Sequence, residues 1–124
     1  MGDTGSTGLD RDPVHSPAGS EPARLREALR SGSGPQRAAA VRSALPAPGL
    51  EIVLVEALAD TDPTVRVAVV RALPAVARSR GVRGLLRAAT EDPSPAVRAE
   101  AVGALGALLT RMRKDHPAPG GRPA

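Results

Sequence analysis

Asp62–Leu73, read as DPTVRVAVVRAL, returns as Asp92–Leu105, read as DPSPAVRAEAVGAL. A weaker third copy, Gly34–Leu45 or GPQRAAAVRSAL, precedes both. The three closing leucines are 28 and 32 residues apart, so the period is about 30 residues. A period in this range is typical of arrays of stacked repeats, which usually serve recognition. The repeated phrase therefore predicts a stack of similar structural units.

Each copy also carries the signals of a helix start and of one buried face. Asp62 is a good N-cap acceptor, and Pro63 suits the first turn of a helix. Apolar residues then recur at helical spacing, which predicts an amphipathic helix. These stripes are Ala40, Val41, Ala44 and Leu45; Val65, Ala68, Val69, Ala72 and Leu73; and Val97, Ala101, Ala104, Leu105 and Leu108.

The segments between the copies carry shorter apolar stripes of the same helical kind. They are Leu25, Ala28 and Leu29; Leu54, Ala57 and Leu58; and Leu85, Ala88 and Ala89. Six helices are therefore expected, at about residues 21–30, 35–45, 50–59, 63–73, 82–90 and 95–113. Paired as three hairpins that contact mainly their neighbours, they predict an all-α fold, a short α-solenoid or α-α superhelix.

Composition places this domain between two tails. Residues 1–20 and 115–124 are rich in Gly, Pro, Ser and polar side chains, and we expect them to be disordered because they bury too little apolar surface. The repeat domain would then occupy residues 21–114, with repeats at about 21–48, 49–80 and 81–114.

The residue types argue against catalysis and against a bound cofactor or metal. The chain has no Cys, Phe, Tyr or Trp, so it lacks thiol nucleophiles, thiolate ligands and disulfides. Its two histidines, His15 and His116, lie in the predicted tails, and no glycine-rich phosphate loop follows a strand. We therefore expect a protein without enzymatic activity.

The sequence also bears on where the protein acts. It has no apolar run long enough to span a membrane and no signal-peptide pattern, so a cytoplasmic location is expected. Heavy use of Ala, Arg, Gly and Pro, with a single Lys, resembles the product of a GC-rich bacterial genome.

Arginines supply the one feature of charge that stands out. Residues 24–114 contain 15 basic and eight acidic side chains. The predicted partner-binding ridge consists of Val67, Arg71, Arg78, Arg80, Arg83 and Arg87. Arginines solvated on helix faces are the simpler interpretation, and binding of a polyanion such as nucleic acid is another. Single-strand binders normally stack bases on aromatic side chains, and this sequence has none.

The motif Asp-Pro-x-Val-Arg followed by Ala and Leu at helical spacing resembles the short HEAT-like repeats of phycobilisome bilin lyases. The resemblance covers about residues 23–113, is strongest in the third copy and good in the second. The first copy is degenerate, with Arg37 at the place of Val and Ala38 at the place of Arg. The resemblance implies three HEAT-like hairpins, in which Arg66 and Arg98 have a structural role. They would reach turn acids of adjoining repeats, with Asp60, Asp62, Glu91 and Asp92 as candidates.

Three functions follow as hypotheses, in order of preference. The first is a non-enzymatic scaffold or adaptor that binds another protein. The second is sequence-nonspecific binding of nucleic acid or another polyanion through the arginines. Bilin-lyase-like activity is the least favoured, because no aromatic residue is available to line a tetrapyrrole pocket. The solenoid end face around Leu25, Leu29, Leu105 and Leu108 is expected to be covered by a partner, by a second copy or by the final helix, so self-association is one of the expectations.

Overall fold

The computed structural model describes residues 19–115, and within them the chain forms six α-helices and no strand. The predicted all-α solenoid is confirmed. The predicted tails lie outside the described residues, apart from residues 19, 20 and 115. The helices are α1 (Glu21–Ala28), α2 (Gly34–Ser43), α3 (Leu50–Ala57), α4 (Pro63–Ala72), α5 (Ser79–Glu91) and α6 (Pro95–Asp115), with a 3-10 turn at Leu73–Ala75.

The helices form two layers. In the first layer α1 packs on α3 and α3 on α5; in the second, α2 packs on α4 and α4 on α6. Each hairpin joins one helix of each layer, so α1 contacts α2, α3 contacts α4, and α5 contacts α6. This is the nearest-neighbour packing that defines a solenoid.

The core between the layers contains only small and branched aliphatic side chains. Its largest fully buried members are Leu54, Leu73, Leu85, Val41, Val53, Val65, Val69, Val70 and Val97. Burial of one such side chain stabilises the fold by about 1.5–3 kcal/mol. Because the chain has no aromatic residue, the core gains its stability from many small contacts.

Polar side chains fix where the helices of the second layer begin. The Ser33 hydroxyl accepts the Gln36 N–H at 3.2 Å, and the Gln36 side chain in return accepts the Ser33 N–H at 2.9 Å. Asp62 accepts the Thr64 N–H at 2.8 Å at the start of α4. These bonds satisfy amide groups that have no partner in the first turn of a helix.

The start of α5 differs from the sequence prediction. The helix begins at Ser79, three residues before the expected Val82. Its first turn is held by Glu51 of α3, whose Oε2 accepts the N–H groups of Arg78 and Gly81, both at 2.6 Å. This cap comes from another repeat, so the local sequence of α5 gives no sign of it.

The end of α2 and the predicted end faces also need correction. The helix stops at Ser43, which leaves Leu45 67 % exposed, and its buried residues are Ala38 and Val41. Leu25 and Leu108, predicted on an end face that needs a cover, are only 3 % and 7 % exposed because they join the core of the chain itself, as their place in the apolar stripes predicts. The large apolar side chains exposed on α6 are instead Val102, Leu109 and Met112.

Two glycines give a matched test of the packing. A methyl group on Gly34 would overlap the carboxylate of Asp62, which caps α4, whereas a methyl group on Gly103 would meet no atom within 4 Å. We expect Gly34→Ala to destabilise the protein by about 1–3 kcal/mol. Gly103→Ala should stabilise it by about 0.5–1 kcal/mol, because glycine is a poor helix former. Chemical unfolding measures the free energy of unfolding of both variants. Equal changes in the two would mean that Gly34 does not lie close to the Asp62 carboxylate.

Candidate functional site

Three arginines occupy one equivalent position in the second layer. Ser33, Asp62 and Ser94 immediately precede α2, α4 and α6, and the fourth residue after each is an arginine. We call Arg37, Arg66 and Arg98 the arginine ladder. Their shared position places each guanidinium beside the turn that leads into its helix.

Arg66 joins the second repeat to the third. Its Nε and Nη2 donate to the two carboxylate oxygens of Asp92, at 2.8 and 3.1 Å, and its Nη1 donates to the Asp60 carbonyl at 2.7 Å. Arg66 and Asp92 are each only 9 % exposed. A planar guanidinium suits this geometry, because its fork matches a carboxylate and leaves one more donor free.

Arg37 makes the same set of bonds one repeat earlier. Its Nε and Nη2 donate to Asp60, both at 2.9 Å, and its Nη1 donates to the Gly32 carbonyl at 2.7 Å. Arg37 therefore occupies the ladder position, and its assignment to the place of Val was wrong by one residue. The Ser33–Gln36 capping box is the sequence signal that identifies the correct register.

Arg98 makes only one of these three hydrogen bonds. Its Nη1 donates to the Asp92 carbonyl at 2.7 Å, but within residues 19–115 no carboxylate lies on its Nε and Nη2. The other two turn acids proposed from sequence do not join the ladder. Asp62 caps α4 through Thr64, and Glu91 is exposed and makes no ion pair within the same residues.

The ladder lowers the pKa of its carboxyl groups. The hydrogen bonds from Arg37 are the largest cause for Asp60 and outweigh the opposing effect of burial. For Asp92, burial acts to raise the pKa, but the hydrogen bonds from Arg66 and the Ser94 N–H, with the positive charges of Arg66 and Arg98, lower it overall. Both carboxylates are therefore stabilised in the charged form.

A second candidate site is a groove in the first layer, between α3 and α5. Its volume is about 570 Å³. The floor is apolar and includes Val55, Leu58 and Ala88, while Arg80, Arg83 and Arg87 stand exposed along it. Two acids, the exposed Glu91 and the buried Asp92, also line it. We call this the basic groove. A methyl group on Gly84 would lie 2.9 Å from Leu58 Cδ1, so the end of that leucine would have to move to admit alanine.

The structure divides the ridge that the sequence predicted. Arg80, Arg83 and Arg87 lie together in the basic groove, and Arg78 lines a neighbouring cleft that Arg83 borders as well. Val67 and Arg71 belong to α4 of the other layer. Arg71 pairs there with Glu100, at 3.0 and 2.8 Å.

The arginines of the basic groove belong to a larger set of described cations without an ion pair, which also includes Arg42, Arg78 and Arg98. Six arginines between residues 19 and 115 form salt bridges, namely Arg24, Arg26, Arg30, Arg37, Arg66 and Arg71. In the same part of the chain, the groove arginines make none. Their positive charge is therefore open to a ligand, above an apolar floor that sequence reasoning did not identify.

Two other kinds of site are absent from residues 19–115. That part of the chain contains no group of three or more His, Cys, Asp or Glu side chains suited to hold a metal ion, and no helix long and apolar enough to cross a membrane. His15 and His116 lie outside that part of the chain.

The repeated hairpins define the class of protein. A family model for HEAT repeats matches residues 51–118, and the chain belongs to this family. The match begins in α3, so the first hairpin lies before it. Neither a curated protein nor a solved structure matches the chain. HEAT repeats generally mediate protein–protein interactions and are generally non-catalytic.

Removal of Arg66 tests the contribution of the buried Arg66–Asp92 ion pair to stability. We expect Arg66→Ala to lower the free energy of unfolding by about 3–5 kcal/mol, because it leaves the buried Asp92 carboxylate without its partner. Arg71→Ala is the matched control, since the same two-bond geometry is solvent-exposed there and contributes at most about 1 kcal/mol. Urea unfolding followed by circular dichroism measures the free energy of unfolding of both variants. Similar losses in the two would mean that the buried Arg66–Asp92 pair stabilises the fold no more than the exposed Arg71–Glu100 pair.

Acid should weaken the ladder. Because the folded pKa values of Asp60 and Asp92 lie below the ordinary value of about 3.9, their contribution is complete above that pH and is lost as pH falls through the folded values. We expect the melting temperature to decrease as the pH is lowered below about 4. In Asp92→Asn, the melting temperature should depend less on pH over the same range. Thermal melts between pH 7 and pH 2 test this, and parallel profiles for the two proteins would refute it.

Proposed function

We propose that the chain is a non-enzymatic scaffold that binds another protein through the basic groove. The observation that carries this proposal is the set of unpaired arginines, Arg80, Arg83 and Arg87, beside an apolar floor. Interfaces combine an apolar centre with a charged or polar rim, and Arg is enriched in them. The family's general role in protein binding gives the proposal independent support.

The groove suits an acidic amphipathic segment. Arg83 and Arg87 are four residues apart and share one face of α5, and Arg80 lies about one turn earlier. The three guanidiniums therefore cover about 10 Å along the helix. A segment with carboxylates on one side and aliphatic residues on the other would pair with them and cover Val55 and Leu58.

A polyanion is the second candidate, because phosphates would also neutralise these arginines. The apolar floor favours a protein ligand, because contact with a phosphate backbone makes no use of it. The sequence also has no aromatic residue on which the bases of a single strand could stack. The resemblance to the repeats of bilin lyases stays a prediction from sequence. We do not propose tetrapyrrole chemistry, because the groove offers only aliphatic, basic and acidic side chains and one glycine and one proline. A cytoplasmic location likewise stays a prediction.

The test is affinity capture from native extract with the full chain as bait. We expect one protein to be enriched with and without nuclease, and its affinity for purified Arg83→Ala/Arg87→Ala to fall by at least about tenfold. Arg42→Ala/Lys114→Ala is the matched control, because it removes two exposed charges that make no ion pair within residues 19–115. Enrichment that disappears with nuclease would support the polyanion instead, and equal behaviour of the two double variants would exclude the groove.

A further inference from the structure

The outer face of α6 repeats a surface that is covered in the two earlier repeats. The eighth residue after each cap is a valine: Val41 after Ser33, Val70 after Asp62, and Val102 after Ser94. Val41 and Val70 are 1 % and 0 % exposed, because the next repeat packs on them. Val102 is 59 % exposed. The equivalent valine is therefore buried in the first two repeats and exposed in the third.

The ladder shows the same difference by an independent contact. Arg37 and Arg66 each hold the carbonyl of their own turn and the carboxylate of the next. Arg98 holds the Asp92 carbonyl in the same way, and within residues 19–115 its carboxylate-binding edge is unoccupied. Arg98 and Val102 are four residues apart on one face of α6. Within residues 19–115, a charged position and an apolar position of α6 therefore both lack the contacts that a following repeat makes with α2 and α4.

The electrostatics favour an occupant other than a second copy of the chain. Gly32 stands where Asp60 and Asp92 stand in the later repeats, because its carbonyl is the one that Arg37 holds. In a copy stacked head to tail, the turn position that meets Arg98 would therefore be Gly32, which has no carboxylate. An antiparallel copy would bring Arg98 towards Arg113 and Lys114 at the other end of α6, where like charges repel.

We propose that the outer face of α6, formed by Arg98, Val102, Gly103, Gly106 and Leu109, binds a helical hairpin of another polypeptide. The bound hairpin carries an Asp or Glu in its turn, and that carboxylate takes the two-bond position on Arg98 that Asp92 takes on Arg66. Its helix packs on Val102 and Leu109, which are both 59 % exposed.

The two glycines are consistent with close packing of that helix. Methyl groups on Gly103 and Gly106 would meet no atom of the described chain within 4 Å, so nothing within it requires glycine at either position. Glycine in the middle of a helix lowers its stability. On the proposed surface, both allow the backbone of the bound helix to come near α6.

This surface is separate from the basic groove, so it does not depend on the function proposed above. The test places the photo-crosslinking residue p-benzoylphenylalanine at Met112, which is 51 % exposed on α6 beside the proposed surface but not part of it, in the full chain expressed in its native cells. We expect an adduct with another polypeptide whose crosslinked peptide contains an Asp or Glu. Its yield should fall at least about tenfold in Arg98→Lys, which keeps the charge but loses the fork.

One further variant distinguishes loss of binding from loss of folding, and another distinguishes binding at α6 from binding in the basic groove. Gly103→Leu leaves the bonds of Arg98 in place and should give the same loss of adduct without lowering the melting temperature. Arg83→Ala/Arg87→Ala should leave the adduct unchanged. The control position is Leu45, which is 67 % exposed. An adduct with a second copy, a nuclease-sensitive adduct, a yield no higher than at Leu45, or a yield indifferent to Arg98→Lys and Gly103→Leu would each overturn the proposal.

Discussion

The two-bond contact between a ladder arginine and the turn aspartate of the next repeat is the interaction on which the stack depends. Aliphatic side chains attract one another without direction, and a core of Ala, Val and Leu sets no register by itself. The fork of Arg66 on Asp92 does set a register, because both donors must meet both oxygens. The third donor ties the same arginine to its own turn, so the guanidiniums of Arg37 and Arg66 each hold two repeats together.

The arginines differ in whether they pair within the chain. In the second layer Arg37, Arg66 and Arg71 bind carboxylates of the next repeat, and in the first layer Arg26 of α1 binds Glu56 of α3. The arginines of α5 line a groove and make no ion pair within residues 19–115. Pairing therefore depends on which carboxylates the neighbouring repeat supplies, and the layer alone does not decide it.

The six helices and their pairing follow from periodicity and caps, which are local signals, and these were predicted. The start of α5 was not, because its cap comes from Glu51, 27 residues before Arg78. The register of the first repeat was misread because Pro35 was aligned with Pro63, although Ser33 caps the helix. The predicted ridge joined Arg71 to Arg80, since sequence gives proximity along the chain but not the layer to which each helix belongs.

A double-mutant cycle on Arg66 and Asp92 tests the central claim most directly. The free energy of unfolding is measured for the intact chain, Arg66→Ala, Asp92→Ala and the double variant. If the contact couples the repeats, the two changes together will cost less than the sum of the single changes, by at least about 2 kcal/mol. Strict additivity, within about 0.5 kcal/mol, would mean that the two residues act independently and that the aliphatic core alone holds the stack.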